Sequence, residues 1–291
     1  YCANEKRILS HIRNSDRYIF IKGNLTDKKL VSEILCRYKP HYVINFAAQS
    51  HVDNSFEDSL QYTYDNILGT HNLLECCRVY NNLLKFIHVS TDEVYGESMI
   101  ISDEKKKTEQ SVLCPTNPYA ASKAGAELIV KSYFHSFKMP VIITRGNNVF
   151  GPNQYPEKVI PKFIKFLKED KKITIQGDGS NLRSFLHVDD VCTAFDLILQ
   201  KGEIGEIYNI GCDANMEYSI MDLGKLLINW IKNTEKYDDW VCFIRDRPFN
   251  DKRYYISNIK DLLRDIVDYP WSIKDVLKDV LKDVLKYLQI S

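Results

Sequence analysis

Tyr119-Ala120-Ala121-Ser122-Lys123 places a phenol and an ammonium four residues apart. On a helix those positions share one face. An ammonium beside a tyrosine hydroxyl favours the phenolate and lowers its pKa, and such a phenol can act as a general base toward a hydroxyl group. Alone the pair is weak evidence, because an isolated Tyr-x-x-x-Lys is usually a surface tyrosine beside a solvated lysine. A second stretch is Val89-Ser90-Thr91-Asp92-Glu93-Val94-Tyr95-Gly96, an apolar run that ends in two hydroxyls, two carboxylates and a turn. Ligands of parallel sheets bind where strands end, and two acids in such a place can be pushed to different pKa values. The bland alternative is that Asp92 and Glu93 merely cap a turn. A third stretch is Asn45-Phe46-Ala47-Ala48-Gln49-Ser50-His51-Val52-Asp53. Its small residues let a cofactor approach closely, while His51 reads as a satisfied polar residue more readily than as a ligand.

The elements that must hold these residues alternate. Tyr18–Ile21, Tyr42–Ala48, Phe86–Ser90 and Val141–Thr144 are short apolar runs that predict strands. Helical spacing falls between them, over Thr26–Tyr38, Leu60–Tyr80 and Pro118–Phe137. Continuous rather than alternating apolar strands predict burial on both faces, hence a doubly wound α/β architecture with a parallel sheet. Past Gly151 three prolines crowd together. Further helices are expected over Pro161–Lys168 and Asp189–Gln200, with a strand at Ile207–Ile210 that could rejoin the sheet. From Cys212 onward a smaller α+β region is expected. Near the end, Lys-Asp-Val-Leu occurs three times between 274 and 285, the spacing of an amphipathic surface helix.

Composition narrows the partners. The 291 residues carry 39 basic and 39 acidic side chains, which gives no electrostatic reason to expect nucleic acid or a membrane surface. Eight cysteines are scattered without a C-x-x-C pair, so no metal site is expected and the thiols read as free in a reducing, cytoplasmic setting.

Taken together, three motifs resemble the dTDP-glucose 4,6-dehydratase family of extended short-chain dehydrogenases/reductases. They are Phe46 to Asp53, Ser90 to Gly96 and Asn117 to Lys123. The same holds for Asn153 to Pro161 and for Asp246-Arg247-Pro248 with Asp251 and Arg253-Tyr254. The likeness extends to UDP-glucose 4,6-dehydratases. It implies a Rossmann-type dinucleotide-binding part over 1–151, to which 187–211 returns, and a nucleotide-sugar part over 152–186 and 212–291. It further implies NAD as cofactor, Thr91, Asp92, Glu93, Tyr119 and Lys123 as catalytic residues, and a homodimer built through the helices near 60–80 and 118–137. Asn24, Leu25, Ala47, Ala48, Asn66 and Ser90, with Tyr119 and Lys123, would line the dinucleotide. Asn148, Glu157, Lys158, Val159, Arg183, Asn209, Arg247 and Asn250 would contact the nucleotide sugar, although either arginine alone would read as a surface ion pair. Related epimerases and decarboxylases resemble the chain in the Tyr/Lys pair but do not carry the double acid, and a catalytically dead binding protein is the third alternative. The chain departs from the family at Asn24, Gly146, Asn147 and Asn250, which bears on substrate preference. The family also opens with a strand and G-x-x-G-x-x-G, whose amides hold a pyrophosphate. Here the glycines begin at Gly23 and none are so spaced. The expectation is that a first βαβ unit precedes Tyr1, and that 1–291 alone would neither hold NAD tightly nor fold stably.

Overall fold

The computed structural model describes residues 8–100, 105–212 and 217–257. A short helix α1 (Ser10–Arg13) opens it, followed by α2 (Lys28–Tyr38), which starts where the Asp27 carboxylate accepts from the Leu30 amide. Strand β1 (Tyr42–Asn45) leads to α3 (Val52–Glu57) and α4 (Ser59–Tyr62). A π-helical turn over Thr63–Leu68 joins α4 to α5 (Gly69–Tyr80). Strand β2 (Lys85–Thr91) runs into a 3₁₀ turn over Asp92–Tyr95, and the long helix α6 (Pro118–Phe137) follows. Then come β3 (Val141–Gly146), β4 (Asn148–Phe150), α7 (Val159–Lys168), β5 (Ile173–Gln176) and β6 (Leu182–His187). The remaining elements are α8 (Val188–Lys201), β7 (Ile207–Ile210), β8 (Glu217–Ser219), α9 (Ile220–Lys232) and β9 (Val241–Ile244).

Four strands form one parallel sheet in the order β1-β2-β3-β7. Alternate residues of its central strands face opposite layers, as the two-residue period of a strand requires. Phe86 and Ile143 pack with Val31, Leu74 and Val130 of α2, α5 and α6, whereas Ile87 and Ile142 pack with Phe195 and Ile198 of α8. Burial of each such side chain contributes roughly 1.5–3 kcal/mol, so the continuous apolar runs anchor both helical layers at once. Lys85 ties α8 down from the sheet, its ammonium donating to the carbonyls of Ile198 and Leu199. A separate core surrounds Phe163, Ile164 and Leu167 of α7 with Leu223 and Leu227 of α9, against Ile173 and Ile175 of β5. Beside it lie the β4-β6-β8 and β5-β9 sheets.

Two sequence expectations fail. Tyr18–Ile21 joins no ladder among the described residues, and Ile19 and Phe20 are more than half exposed. The apolar pattern was there, but a strand needs a hydrogen-bonded neighbour, and the outer edge of β1 offers Tyr42 and Ile44 to solvent rather than to that segment. The helix expected from Leu60 to Tyr80 is interrupted by the π turn. The expected Lys-Asp-Val-Leu helix lies outside the described residues.

Candidate active site

The sheet's carboxyl edge assembles the acids. Thr91, the last residue of β2, caps the 3₁₀ turn, its hydroxyl accepting from the Glu93 amide at 3.4 Å and donating to Asp92 Oδ1 at 3.0 Å. The turn closes at Gly96, whose φ of +75° and close approach to the Cys114 carbonyl (2.1 Å from where a Cβ would sit) exclude a side chain. Asp92 and Glu93 are then held by different neighbours. Asn147 Nδ2 donates to Asp92 Oδ2 at 2.6 Å, and Asn117 Nδ2 donates to Glu93 Oε2 at 2.9 Å. Burial raises the proton affinity of both. Asp92, also pressed by the charge of Glu93, is pushed up to about 7. Glu93 is raised by burial against the opposing donor Asn117 and the charges of Arg183 and Arg247.

Helix α6 meets that turn at two points. Asn117 is its N-cap: Oδ1 accepts from the Ala120 amide at 2.8 Å while Nδ2 holds Glu93. One turn into the helix, Lys123 is buried, and its Nζ donates to the carbonyl of Val89 in β2 at 2.7 Å. Burial drags Lys123 down to about 8, opposed by the negative charge of Glu127. Tyr119, between these two anchors, is buried and edge-on to the Tyr62 ring at 6.3 Å. The Tyr/Lys pair and the double acid, 26 residues apart in sequence from Glu93 to Tyr119, are thus pinned to one strand end.

Around them stand the residues expected to line a dinucleotide. Asn66 is buried because the π turn points it inward, and it bridges Ser122 Oγ and both main-chain groups of Gln49. Ala47 follows β1, its amide bonded to Asn45 Oδ1 at 3.2 Å, and Ala48 comes next. Ser90 Oγ is buried without a hydrogen-bond partner. A buried hydroxyl left unsatisfied is costly. Beside it Val89 takes only one of the three donors that an ammonium carries. These residues therefore fit a polar ligand at the nicotinamide-ribose end of a dinucleotide. Asn24 Oδ1 turns back to Thr26, and the Leu25 carbonyl accepts from Asn72 of α5. No G-x-x-G-x-x-G turn lies among the described residues.

A cavity of about 240 Å³ opens beside Glu93. Of the residues expected at the sugar nucleotide, Asn148, Glu157, Lys158, Val159, Arg183, Arg247 and Asn250 all line it. The two guanidiniums converge on the Asn250 amide oxygen, Arg247 at 2.6 Å and Arg183 at 3.2 Å, and Arg247 also pairs with Asp53 at 3.1 Å. Arg247 Nε is buried and unpartnered, so this corner holds more positive donor capacity than its own acceptors use. Lys158 reaches across to the Ser50 carbonyl at 3.0 Å. His51 also lines the cavity, capping α3 with its pKa lowered by burial and then by Lys158.

Asn209 is the correction. It is fully buried and away from the cavity, accepting from Tyr95 and donating to Ser257 and to the Lys107 carbonyl. Every polar atom of its side chain is used internally, so it has none left for a ligand. Asn117, Asp251 and Tyr254 lie in motifs that the sequence offered without a role, and they surround Glu93; Asn147, noted only as a departure, holds Asp92. Asn117 carried one legible signal, its position as the N-cap residue before a proline at N1.

A parallel sheet flanked by helices, with Tyr-x-x-x-Lys beside a strand end, defines a Rossmann-type short-chain dehydrogenase/reductase fold. Within that class the chain belongs to the nucleotide-sugar 4,6-dehydratase family: the family model described as GDP-mannose 4,6 dehydratase matches residues 2–260. It is 45% identical over 298 residues to a dTDP-D-glucose 4,6-dehydratase of Dictyostelium discoideum, covering 89% of this chain and 68% of that one. It is 46% identical to a trifunctional Arabidopsis thaliana protein named for UDP-glucose 4,6-dehydratase, 3,5-epimerase and reductase activities, again over 89% of this chain but only 38% of the relative. Among solved structures, dTDP-glucose 4,6-dehydratase from Streptomyces venezuelae, with NAD bound, superposes with a TM-score of 0.88 at 32% identity, covering 98% of this chain and 85% of that one.

Proposed function

We propose that this chain dehydrates a glucose carried on dTDP or UDP to the 4-keto-6-deoxy sugar, using NAD that ends the cycle as it began it. The observation that carries the reading is the double acid. Asp92 and Glu93 are adjacent, Asp92 buried and Glu93 half-buried at the cavity wall, and both are raised in proton affinity, yet each is held by its own asparagine. One acid that stays protonated near neutrality beside one that serves as a base is what loss of water requires. Bound NAD would accept hydride from C4 and return it to C6.

The chain's own residues do the rest. Tyr119, supported by the Lys123 ammonium, takes the proton from the C4 hydroxyl, and Thr91 holds that oxygen. Once C4 is a ketone its neighbouring C5–H is acidic, and Glu93 takes that proton. Asp92, protonated, gives a proton to the departing C6 hydroxyl. Positioning and general acid–base catalysis share the rate enhancement. Ser90, Ala47 and Ala48 would hold the nicotinamide end, and Asn66, whose amide is spent on Gln49 and Ser122, would fix that wall from behind. Arg183 and Arg247 would take the diphosphate, whose oxygens match a guanidinium fork and would displace Asp53 from Arg247. Asn148, Glu157, Lys158 and Val159 would frame the sugar.

In the same reading residues 1–151 with 187–211 bind the dinucleotide, and 152–186 with 212–291 bind the sugar nucleotide. Leu60, Tyr64, Leu68 and Leu128, each more than 40% exposed, would meet a second copy. Sedimentation of the full-length protein as a monomer would remove that part. A cytoplasmic setting fits the free thiols. Among the described residues no helix is long and apolar enough to cross a membrane. The deciding experiment offers dTDP-glucose and UDP-glucose separately to the full-length protein and follows the product by mass. Loss of 18 Da, one water, is expected from at least one of them, and turnover of neither sinks the proposal.

A further inference from the structure

Glu93 is held by a ring of hydrogen bonds, closed through the Thr116–Asn117 main chain, that brings in a distant segment. Tyr254, 161 residues away, points its hydroxyl between two carboxylates, 2.5 Å from Asp251 Oδ2 and 3.2 Å from Glu93 Oε2. Asp251 is buried, and its other oxygen accepts from Thr116 Oγ1 at 2.6 Å. Thr116 is followed by Asn117, which donates to the same Glu93 Oε2. The ring therefore runs Glu93, Tyr254, Asp251, Thr116, Asn117 and back to Glu93. It joins the acidic turn, the start of α6 and the stretch after β9. Above the Tyr254 ring lies the Arg183 guanidinium, 4.9 Å from its centroid. Glu93 Oε1 has no hydrogen bond among the described residues, and Glu93 lines the cavity.

We propose that Tyr254 is a positioning residue for Glu93: its one phenol proton, shared between Asp251 Oδ2 on the shorter side and Glu93 Oε2 on the longer, acts with the Asn117 amide to fix Oε2, so that Oε1 is presented to the cavity as the atom that accepts the C5 proton. The inference rests on the dehydration reading above and adds residues which that reading does not use. In the step concerned the C5–H bond breaks, its electron pair stays on carbon as the enolate of the 4-ketone, and the proton goes to Oε1. No bond in Tyr254 or Asp251 breaks. Burial and the two neighbouring carboxylates push the Tyr254 phenol far above its ordinary pKa, so it remains a neutral donor throughout. Charged or titratable groups that act on Glu93 include Asp92, Arg183, Arg247, Asp251 and Tyr254, and His51, Asp53, Glu157, Lys158 and Lys162 line the same cavity.

The test separates the two chemical steps in the full-length protein with its cofactor and whichever sugar nucleotide it turns over. Oxidation at C4 is read by single-turnover formation of reduced cofactor. Proton removal at C5 is read by the isotope effect with C5-deuterated substrate. Tyr254→Phe is expected to lower kcat about 10–100-fold, the scale of one hydrogen bond to a charged group, with KM within about threefold. C4 oxidation should be unchanged, and the C5 isotope effect should rise because that step now limits the rate. Asp251→Asn should act in the same direction, and adding it to Tyr254→Phe should change the partition no further. If Tyr254→Phe does not fold, Asp251→Asn carries the same readout. Equal slowing of both steps, or an unchanged C5 isotope effect, overturns the positioning role. A wild-type protein that never oxidises C4 would instead sink the dehydration reading.

Discussion

At the scale of single residues, the site works by holding two like charges where neither is comfortable. Asp92 has the clearest consequence. Its carboxyl, pushed up to about 7 by burial and by Glu93, is half protonated near neutrality. As the proton donor to C6 it should lose activity as pH rises through about 7. Asp92→Asn, which cannot supply that proton as readily, should lower kcat by about 10²–10⁴. The same shift sets stability. An acid whose folded pKa exceeds its unfolded value of 3.8 holds its proton better when folded. It therefore favours folding as pH falls from about 7 toward 4, and it destabilises the fold above 7. Asp92→Asn should gain roughly 2–4 kcal/mol at pH 8, a gain that shrinks toward pH 4. Denaturant melts at both pH values check it, and equal stability of variant and wild type at pH 8 would contradict the buried, proton-hungry carboxyl. The acids, the tyrosine and the lysine were legible from their types and spacing. Which groups hold them was not legible. Asn147 is 55 residues from Asp92, and Tyr254 is 161 from Glu93, separations across which no local pattern is written.

At the scale of elements, α6 couples stability to geometry through its cap. Asn117 satisfies an amide at the helix start and holds Glu93 with its other end. Asn117→Ala should cost about 1 kcal/mol as a lost N-cap and should also lower kcat. Asn117→Asp, which keeps the cap but sets a second carboxylate against Glu93, should spare the stability and not the rate. Thermal melts and initial rates on the pair distinguish the two roles; equal activity of wild type and Asn117→Asp would show that the donor to Glu93 is dispensable. Helix α6 was legible to the residue, from proline at its first position to the apolar period. The helix before it was legible only in extent. A π turn leaves the apolar period nearly intact over a few residues, and what betrays it is the inward aim of Asn66, which only the packed structure reveals. The segment Tyr18–Ile21 failed for the opposite reason. It has the composition of a strand, but pairing depends on a neighbour that composition does not specify.

At the scale of the whole molecule, one buried ion pair sits under the site. Arg145 of β3 and Glu127 of α6 are 1% and 0% exposed and 2.6 Å apart. Arg145 also donates to Tyr95, which donates to Asn209, so the network links α6, the central sheet and β7. Breaking a buried pair from one side strands a charge and costs about 3–5 kcal/mol. Glu127→Gln should lower Tm by on the order of 10 °C for a chain of this size. Glu127→Leu combined with Arg145→Met should recover most of the loss, since replacing both charges by apolar groups is often neutral. A double variant no more stable than Glu127→Gln would mean that the network matters beyond the pair.

The π turn at Thr63–Leu68 holds one residue more than an α-helix would fit in the same rise. Removing a single amino acid there would let the backbone relax into regular α geometry and would swing every upstream position by about 100° around the axis. Asn66 would leave Gln49 and Ser122, although nothing in its own chemistry had altered. Here, then, one deletion in a helix that carries none of the acids would disturb the site more thoroughly than many substitutions. The length of that segment is as much a part of the site as any side chain in it.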